Sequence, residues 1–567
     1  MPQLIGVKLL SQTCLDFVIN NMAVMCEKLP KADFATTTSN QTSQSPFDHL
    51  SSKFLEEIIG ALQTKRCLKK FLHLLAAPQL GTLNLRGSRY FSGFEDDCSI
   101  HFELNSLRCV YLQNLSLSWS SLSNDKFLTS VIPMYVKLQV LDISYSEAGD
   151  SSLEVIGTYC TNLRELELTD CRNISDIGVK GLCVSTAHNL GREDEKLGLH
   201  KSLLKLDSSG TQITNAGIQL GLETFRSLKV WDMATVQVLA EIHTEDFLNR
   251  SLEIPKYSLM NLKIASRCDY ILKTLGLVLS LCPFVIEVEI HIVRGLTDSD
   301  LLSLLSLEKL RKLKLNGCER VDSYITFGGG VTPILEAFGN SSLKKLSLAF
   351  LRDVNIQVIA QLCPNLDLLD LFDNLSYSTA KLDEEWVKIE SLVLKQLEKL
   401  SLFAGFSRPI SIPREHFVLL LSAPSLTDIY IDGCCTLNDD VLQEVARVQK
   451  FHHLENLEVK ECHNVTEKGI DVFMNALNPL KKIVLHMCRQ VKESNVDYWV
   501  KQAKMNNWQI SIEFTTENFD RFDFYGEESD SEPEDGYDYY GYQFYDCEES
   551  CEESSSDGYV DEGDWWN

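Results

Sequence analysis

The most regular feature of the chain is a phrase of spaced apolar residues, Leu-x-x-Leu-x-Leu, often followed by x-x-Cys-x-x-aliphatic. The clearest copy consists of Leu163, Leu166, Leu168, Cys171 and Ile174. Four further copies with the cysteine begin at Leu310, Leu426, Leu454 and Leu480. Less regular copies begin at Leu80, Leu112, Leu138, Leu203, Leu228, Leu259, Val285, Leu343, Leu366 and Leu397. Successive copies commonly start 25 or 26 residues apart, which indicates an array of about fifteen repeats.

Each repeat switches between two periodicities. The alternation of apolar residues at the end of the phrase predicts a short strand with one buried face. The segment that follows has helical spacing, as in Leu153, Ile156 and Cys160 after Ser152. Since Ser and Thr are favourable helix caps, we expect Ser152, and Thr466 in a later repeat, to precede the first turn of a helix.

One strand and one helix cannot bury a core of their own, so consecutive repeats must stack. We therefore predict an α/β solenoid, shaped as a horseshoe, in which parallel strands line the concave side and helices cover the outside. This interpretation divides the chain into a helical region at 1–75, a solenoid at 76–515 and an acidic tail at 516–567.

The cysteines recur at fixed repeat positions, which favours packing over chemistry. Cys171 and its equivalents follow a strand, whereas Cys160, Cys282 and Cys363 come at the end of a helical segment. A small thiol fits beneath a tight turn and donates weakly to nearby carbonyl groups. Stacked repeats place such cysteines in rows and not around a tetrahedral metal ion. We expect neither a metal nor a cofactor.

No segment predicts secretion or membrane insertion. Residues 1–10 lack a basic start followed by an apolar stretch, and the longest uncharged apolar stretch, 274–286, is too short to span a bilayer. We therefore expect reduced cysteines, no membrane partner and a cytoplasmic or nuclear location.

The negative charge is concentrated at one end of the chain. Residues 517–567 contain 19 acidic residues and one basic residue, so they carry −18 of the net −27 and leave −9 for the rest. Phosphate recognition needs clustered Lys and Arg, so nucleic acid is not an expected partner. Because like charges repel, we expect the tail to be disordered. Its Ser529, Ser531 and Ser550 each precede an acidic residue by three positions, resembling sites of acidophilic kinases.

Binding, and not catalysis, is the activity that the repeat pattern predicts. The sequence contains no Gly-rich phosphate loop, no His-Glu-x-x-His and no Gly-x-Ser-x-Gly, so no catalytic residue is expected. Strand residues between the leucines point to the concave face, where later strands carry lysines beside aromatic residues, as at protein-binding hot spots. The candidate substrate-binding residues are Lys312, Lys314, Lys345, Leu368, Asp370, Phe372, Lys399, Phe403, Asp428 and Tyr430. The tail is expected to act either as a solubility tail or as an acidic arm, whose natural target in the chain would be Lys312, Lys314, Lys345 and Lys399 of this set.

The repeats from Leu80 to Val491 resemble the cysteine-containing leucine-rich repeats of ubiquitin-ligase substrate receptors. The resemblance implies a non-catalytic receptor of a cullin-type ligase, which holds a protein substrate on the concave face for ubiquitination and degradation. Catalysis would then come from proximity to the ubiquitin-charged partner.

The N-terminal region carries a second resemblance. Residues 9–26 predict an amphipathic helix with Leu10, Cys14 and Val18 on one face, followed by a polar linker at 33–45 and a second apolar stripe that includes Leu50 and Phe54. The spacing Leu-x3-Cys-x3-aliphatic resembles the BC box, a helix that docks receptors onto the elongin B/C adaptor of a cullin ligase. The whole layout is similar to that of Zyg/Zer-type receptors. The resemblance implies that these five residues contact the adaptor.

Other interpretations stay open. An F-box-like segment at 46–72 would instead bind the Skp adaptor, or the N-terminal region caps the open end of the solenoid. For the chain as a whole, the alternative function is a general interaction scaffold or an acidic-tailed chaperone for basic proteins such as histones.

Overall fold

The computed structural model describes residues 10–27, 45, 47–65, 68, 71–86, 109–120, 123–184, 199–232, 235–248, 255–264, 274–291, 294–317, 324–372, 374, 376–378, 394–403, 412–475 and 479–516. The acidic tail at 517–567, with Ser529, Ser531 and Ser550, lies outside the described residues. So does all but the last residue of the linker predicted at 33–45.

The described strands form two sheets in which every neighbouring pair is parallel and the strands follow chain order. The six-stranded sheet consists of β1 (Thr82–Asn84), β2 (Asn114–Ser116), β3 (Val140–Asp142), β4 (Glu165–Glu167), β5 (Lys205–Asp207) and β6 (Val230–Asp232). The ten-stranded sheet consists of β7 (Asn261–Ile264), β8 (Glu287–His291), β9 (Lys312–Asn316), β10 (Lys345–Ala349), β11 (Leu368–Phe372), β12 (Lys399–Phe403), β13 (Asp428–Asp432), β14 (Asn456–Lys460), β15 (Lys482–His486) and β16 (Ser511–Thr515).

Helices precede the sheets and alternate with the strands. They are α1 (Leu10–Glu27), α2 (Ser52–Thr64), α3 (Leu72–Leu75), α4 (Asp125–Val131), α5 (Asp150–Tyr159), α6 (Asp176–Cys183), α7 (Leu199–Ser202), α8 (Asn215–Thr224), α9 (Thr235–Leu248), α10 (Thr274–Leu281), α11 (Asp298–Leu301), α12 (Thr332–Phe338), α13 (Ile356–Leu362), α14 (Arg414–Leu421), α15 (Asp439–Val448), α16 (Glu467–Ile470) and α17 (Glu493–Met505). Short 3₁₀ segments at Ile132–Met134 and Leu302–Ser306 and a π-helical turn at Phe327–Val331 complete the set.

The strand leucines form ladders inside the solenoid. Leu313 of β9 is level with Leu346 of β10, which is level with Leu369 of β11, and all three are fully buried. The strand residues between the leucines alternate to the opposite face, which we term the sheet face. This arrangement of stacked strands and helices confirms the predicted α/β leucine-rich-repeat fold.

The ladder of strands is interrupted once, between β6 and β7. Helix α9 begins at Thr235, three residues after the end of β6, and the Thr235 hydroxyl accepts the backbone N–H of Lys263 at 3.1 Å. This backbone N–H of β7 therefore makes its hydrogen bond to a side chain. The Lys263 ammonium still reaches the Asp232 carboxylate of β6 at 3.0 Å, so the two sheets remain neighbours.

Two predicted helix starts had different outcomes. Thr466 caps α16 as predicted, since its hydroxyl oxygen accepts the backbone N–H of Lys468. The prediction for Ser152 was wrong, because α5 already begins at Asp150 and Ser152 is fully buried within its first turn. The Ser152 hydroxyl instead donates to the carboxylate of Asp125 in the preceding repeat.

The repeat cysteines are packed as the sequence predicted. The Cys171 thiol donates to the Ile143 carbonyl of the preceding repeat at 3.1 Å, and Cys488 reaches the Val459 carbonyl at 3.4 Å in the same way. The equivalent Cys318 lies outside the described residues. At the second position, Cys160 and Cys363 end helices α5 and α13, where burial raises the pKa of each thiol to about 12.

The described residues include neither a metal-binding cluster nor a membrane-spanning helix. No group of three or more His, Cys, Asp and Glu side chains among them is arranged to hold a metal ion. No helix that they form is long and apolar enough to cross a bilayer.

The N-terminal end of the solenoid is covered by α2. This helix buries Leu55, Ile58, Ile59 and Leu62. Its polar residues satisfy the first repeat: the backbone N–H of Gly81 donates to the Ser52 hydroxyl, and that of Thr82 donates to the Glu56 carboxylate. Helix α2 therefore serves as the cap that a repeat array needs at its open end.

Candidate functional site

Helix α1 has two apolar faces, and one of them is packed against other described residues. Leu15, Ile19 and Met22 are buried in the common core. Phe17 and Val24 are 64% and 52% exposed, and Cys14 is also exposed. A face of this kind on a helix at the end of a fold is typical of a docking surface.

The position of α1 is held by contacts with the cap. The Lys65 ammonium, just beyond α2, donates to the Asn20 side chain of α1 at 2.6 Å. Val18 is half-buried against the core, as are Leu50 and Phe54 near the start of α2. Ser51 caps α2 by accepting the Phe54 backbone N–H.

The predicted adaptor contacts therefore fall into three groups. Leu10 begins α1, and its side chain lies outside what the structure describes. Cys14 is open to solvent, and Val18 borders the same face. Leu50 and Phe54 belong to the cap and are half-buried there.

Two exposed residues of α1 were missed in the sequence. Phe17 and Val24 follow Leu10 by seven and fourteen positions, so they continue its face along the helix. The seven-residue spacing from Leu10 indicates both residues. The Leu-x3-Cys-x3-aliphatic pattern contains Val18 but neither Phe17 nor Val24. We define the docking face of α1 as Cys14, Phe17, Val18 and Val24.

The second candidate surface lies on the sheet face, where the first residues of β9, β10 and β12 are lysines and those of the flanking strands β8 and β13 are Glu287 and Asp428. Lys312 of β9 is level with Lys345 of β10, then with Leu368 of β11 and Lys399 of β12. Lys345 is exposed, and the other three are partly exposed. Three lysines that are far apart in the sequence therefore lie in one row of the sheet.

The middle row of the same strands is more buried. The Lys314 ammonium contacts the Glu289 carboxylate of β8 at 3.2 Å. Burial opposes ionisation of Glu289, but a hydrogen bond from His291 and the charges of Lys314 and Lys263 outweigh it and lower the pKa of Glu289. Lys314 is therefore a buried, ion-paired residue, and it offers little exposed surface to a partner.

Asp370 lies in the same middle row, on β11, and is only 5% exposed. Burial raises its pKa to about 6, against the opposing effects of a hydrogen bond from Ser401 and the charges of Lys314, Lys312 and Lys345. The carboxylate therefore acts as a counter-charge beneath the lysines.

An apolar row runs along the far end of these strands. Ala349, Phe372 and Phe403 are level with one another on β10, β11 and β12. The rings of Phe372 and Phe403 are tilted by 54°, with centroids 6.1 Å apart, and both are partly exposed. We define the basic-apolar strip as the sheet face of β9–β12.

Asp428 and Tyr430 lie on β13, at the border of the strip. The Asp428 carboxylate accepts hydrogen bonds from the Thr427 hydroxyl at 2.6 Å and the Asn456 amide at 2.7 Å. The Tyr430 hydroxyl donates to Asp432 at 3.0 Å, and the Lys460 ammonium lies 5.2 Å from the centre of its ring. Both predicted residues are thus already engaged with neighbouring strands.

The earlier strands give the sheet face the opposite charge. Their middle row aligns Asp142, Glu167, Asp207 and Asp232 on β3 to β6. Burial, followed by the charge of Asp232, raises the pKa of Asp207. The Lys205 ammonium pairs with Glu167 at 2.8 Å. The sheet face of β3 to β6 is therefore acidic in its middle row, whereas the basic-apolar strip is confined to β9 to β12.

Comparison with known proteins finds distant similarity in fold. No protein-family model matches the chain. The crystal structure of the Rad7 and Elc1 complex in yeast includes a chain with 16% identity and a TM-score of 0.40, over 84% of this chain and 98% of that one. An internalin (inlF) from Listeria monocytogenes has 14% identity and a TM-score of 0.29, over 64% of this chain and 76% of that one. The class that the strands and helices define is a leucine-rich-repeat solenoid.

Proposed function

We propose that the chain is a non-catalytic substrate receptor of a cullin-type ubiquitin ligase. In this proposal α1 docks on the elongin B/C adaptor and the sheet face holds a protein substrate, in the cytoplasm or the nucleus. The observation that carries it is the docking face of α1, where Cys14, Phe17 and Val24 stay exposed although the other face of the same helix is packed.

The physical argument concerns apolar surface. An exposed phenylalanine gains roughly 1.5–3 kcal/mol when a partner covers it completely. A groove that receives an amphipathic helix would bury Phe17 and Val24 together, and the small Cys14 would permit close approach of the two backbones.

The proposed receptor needs no catalytic residue of its own. A substrate held on the sheet face is kept near the ubiquitin-charged partner, which converts an encounter between free molecules into a local reaction. In this proposal the stack of repeats between α1 and the basic-apolar strip sets the distance from adaptor to substrate.

The test is to co-express the full chain with elongin B/C and to measure the affinity of the purified proteins by calorimetry. Phe17→Asp should weaken binding at least about thirtyfold, the equivalent of roughly 2 kcal/mol at a hot spot. Cys14→Asp and Leu10→Ala should also weaken it. The matched control is Ile177→Asp on α6, because Ile177 is another apolar helix residue, 73% exposed, and its replacement should leave the affinity unchanged.

Several outcomes would contradict the proposal. The receptor function fails if the wild-type chain does not bind elongin B/C, or if Phe17→Asp and Ile177→Asp behave alike. Capture of the Skp adaptor, lost on replacement of Leu50 or Phe54, would favour the F-box alternative. If neither adaptor binds, the scaffold or histone-chaperone function is left.

A further inference from the structure

The last strand of the ten-stranded sheet ends the stack with apolar residues. Among the described residues, β16 has a strand on one side only. Its Ile512 and Phe514 are level with Ile483 and Leu485 of β15. The two β15 residues are fully buried, whereas Ile512 and Phe514 are partly exposed. A terminal repeat normally has a polar outer face, so this end gains stability when a partner covers it.

Helix α17 continues the same end of the stack. Four of its residues share one stripe at helical spacing, namely Asp497, Val500, Lys501 and Lys504. Val500 lies eight residues after the N-cap of α17, as Cys183 does in α6. The Cys183 thiol is hydrogen-bonded to Thr224 of the next helix, α8. The stripe of α17 therefore points to the side where a further repeat would stack. We define the terminal face as this stripe together with Ile512 and Phe514.

The opposite end of the solenoid is closed. There α2 covers β1, and Ser52 and Glu56 accept the backbone N–H groups of Gly81 and Thr82. A second copy cannot add its β16 at that edge without displacing α2, which excludes a head-to-tail filament. Two copies that meet at their terminal faces instead form a closed pair about a twofold axis.

Strand β16 is self-complementary about Glu513. An antiparallel pair centred on this residue places Ile512 opposite Phe514 of the second copy, and Phe514 opposite its Ile512. Apolar pairs of this kind stabilise neighbouring strands. Glu513 would lie opposite its own counterpart, but each carboxylate is paired with the Lys482 ammonium of its own chain at 3.0 Å.

The stripe of α17 has the same symmetry. In an antiparallel pair of these helices, Asp497 meets Lys504 of the second copy and Val500 meets its Lys501, because both pairs share a midpoint between residues 500 and 501. Opposite charges therefore face each other across the axis, and the apolar stem of Lys501 covers Val500. An interface between identical surfaces requires every contact to be reciprocal in this way.

We propose that the terminal face joins two copies of this chain, with β16 paired antiparallel to its counterpart and α17 packed against its own. The ten-stranded sheets of the two copies then form one continuous sheet. This inference does not depend on the proposed receptor function. A dimeric receptor would present two docking faces of α1 and would gain avidity for paired partners.

Sedimentation equilibrium of the full chain measures the dimer directly. The dissociation constant should fall as the ionic strength increases, because residues 517–567 carry −18 in each copy and follow β16 in the chain. Phe514→Asp should raise the dissociation constant at least about tenfold. Ile177→Asp, at an exposed apolar residue of α6, is the matched control and should leave it unchanged.

A charge exchange tests the helix contact. Asp497→Lys and Lys504→Asp each place like charges across the axis, so each should raise the dissociation constant about tenfold. The double variant restores the pair with reversed signs and should return the affinity to within about threefold of the wild type. Both residues are exposed, so the circular dichroism spectrum should stay the same.

A cysteine at the axis tests the strand register. Residues directly opposite each other in an antiparallel pair have Cα atoms about 4.5–5.5 Å apart, which suits a disulfide. Glu513→Cys should therefore form a disulfide with its own counterpart on mild oxidation. Ser511→Cys is the control, because its counterpart lies about 13 Å away along the strand. Mass spectrometry of the linked peptides distinguishes this bond from bonds between native cysteines.

The proposal is overturned if the wild-type chain stays monomeric at about 100 μM, if Phe514→Asp and Ile177→Asp behave alike, or if the charge exchange does not restore pairing. Equal cross-linking of Glu513→Cys and Ser511→Cys would overturn the register. A dimer that forms only after deletion of residues 517–567 would also overturn the proposal, because the end would then be covered within one chain.

Discussion

The carboxylate of Asp439 holds Thr466 of the next repeat through two hydrogen bonds. Its Oδ1 accepts the Thr466 backbone N–H at 2.8 Å, and its Oδ2 accepts the Thr466 hydroxyl proton at 2.6 Å. Thr466 in turn caps α16. The first residue of one helix therefore fixes the start of the next, and Asp150 and Ser175 repeat the arrangement.

We expect Asp439→Ala to lower the free energy of unfolding by about 1–3 kcal/mol, because two hydrogen bonds to a charged group are lost and Thr466 is left with unsatisfied donors. Asp440→Ala is the matched control, since Asp440 is the exposed neighbour in the same helical turn. Urea titration of both variants checks the prediction. Equal losses would mean that helix charge, and not the contact between repeats, is responsible.

Gly469 lies directly over the same carboxylate. A Cβ added at this position would be 2.5 Å from Asp439 Oδ1 and 3.0 Å from Leu442 Cδ1. Gly469→Ala should therefore destabilise by about 1–3 kcal/mol, although alanine favours helices. In an Asp439→Ala background the loss should be smaller, because the clashing oxygen is gone. Additive losses in the double-mutant cycle would contradict this explanation.

The repeats could be predicted because each strand places its leucines at fixed positions. The last repeat, which contains β16, was not predicted. Ile512 of β16 is level with Ile483 of β15, so the slot that Leu480 fills one repeat earlier falls on Gln509. The phrase is therefore broken although the strand forms by pairing with β15. The interruption between β6 and β7 was not predicted for a similar reason. The hydrogen bond from the Lys263 backbone N–H to the Thr235 hydroxyl forms only in the folded chain.

The candidate surfaces were only partly predictable. The sequence identified the lysines of the strip, because strand alternation is local. It could not show that Lys314 meets Glu289, 25 residues earlier, since that contact depends on the strand register. Nor could it show that Asp370 is buried, because burial depends on side chains of neighbouring strands.

The cysteines should differ sharply in reactivity towards iodoacetamide. Burial raises the pKa of Cys160 and Cys282 to about 12, so these thiols stay protonated and inaccessible near neutral pH. Among the cysteines whose side chains the structure describes, Cys14 and Cys435 are the exposed ones and should be labelled before the buried ones. Elongin B/C should then protect Cys14 and leave Cys435 reactive. Mass spectrometry of labelled peptides checks this, and protection of both cysteines would argue against a contact confined to α1.

Leu313→Ala should reduce stability by about 2–5 kcal/mol, because the fully buried side chain leaves a cavity. Repeats contact only their neighbours, so the loss of amide hydrogen-exchange protection should be largest in β8, β9 and β10. Leu313→Met is the control of similar volume and should cost less than about 1.5 kcal/mol. A uniform loss of protection from β7 to β16 would contradict the nearest-neighbour account.

Asp370 should make the solenoid less stable as the pH rises. Its pKa is about 6 in the folded chain and about 3.9 when unfolded. The folded state therefore holds the proton more tightly, and stability is lost as the pH rises from about 4 to about 6. At about pH 7 the buried charge costs on the order of 3 kcal/mol. This is the part of the desolvation penalty that remains after the favourable effects of Lys312, Lys314, Lys345 and Ser401.

Asp370→Asn removes this charge and keeps the shape of the side chain. The variant should match the wild type in urea titrations near pH 4 and become more stable than it by about 1–3 kcal/mol near pH 7. Asp440→Asn, at an exposed position, should show no such pH-dependent gain. A gain of equal size at both pH values would mean that packing, and not ionisation of Asp370, is responsible. A loss near pH 7 would mean that the lysines more than compensate for the burial of the carboxylate.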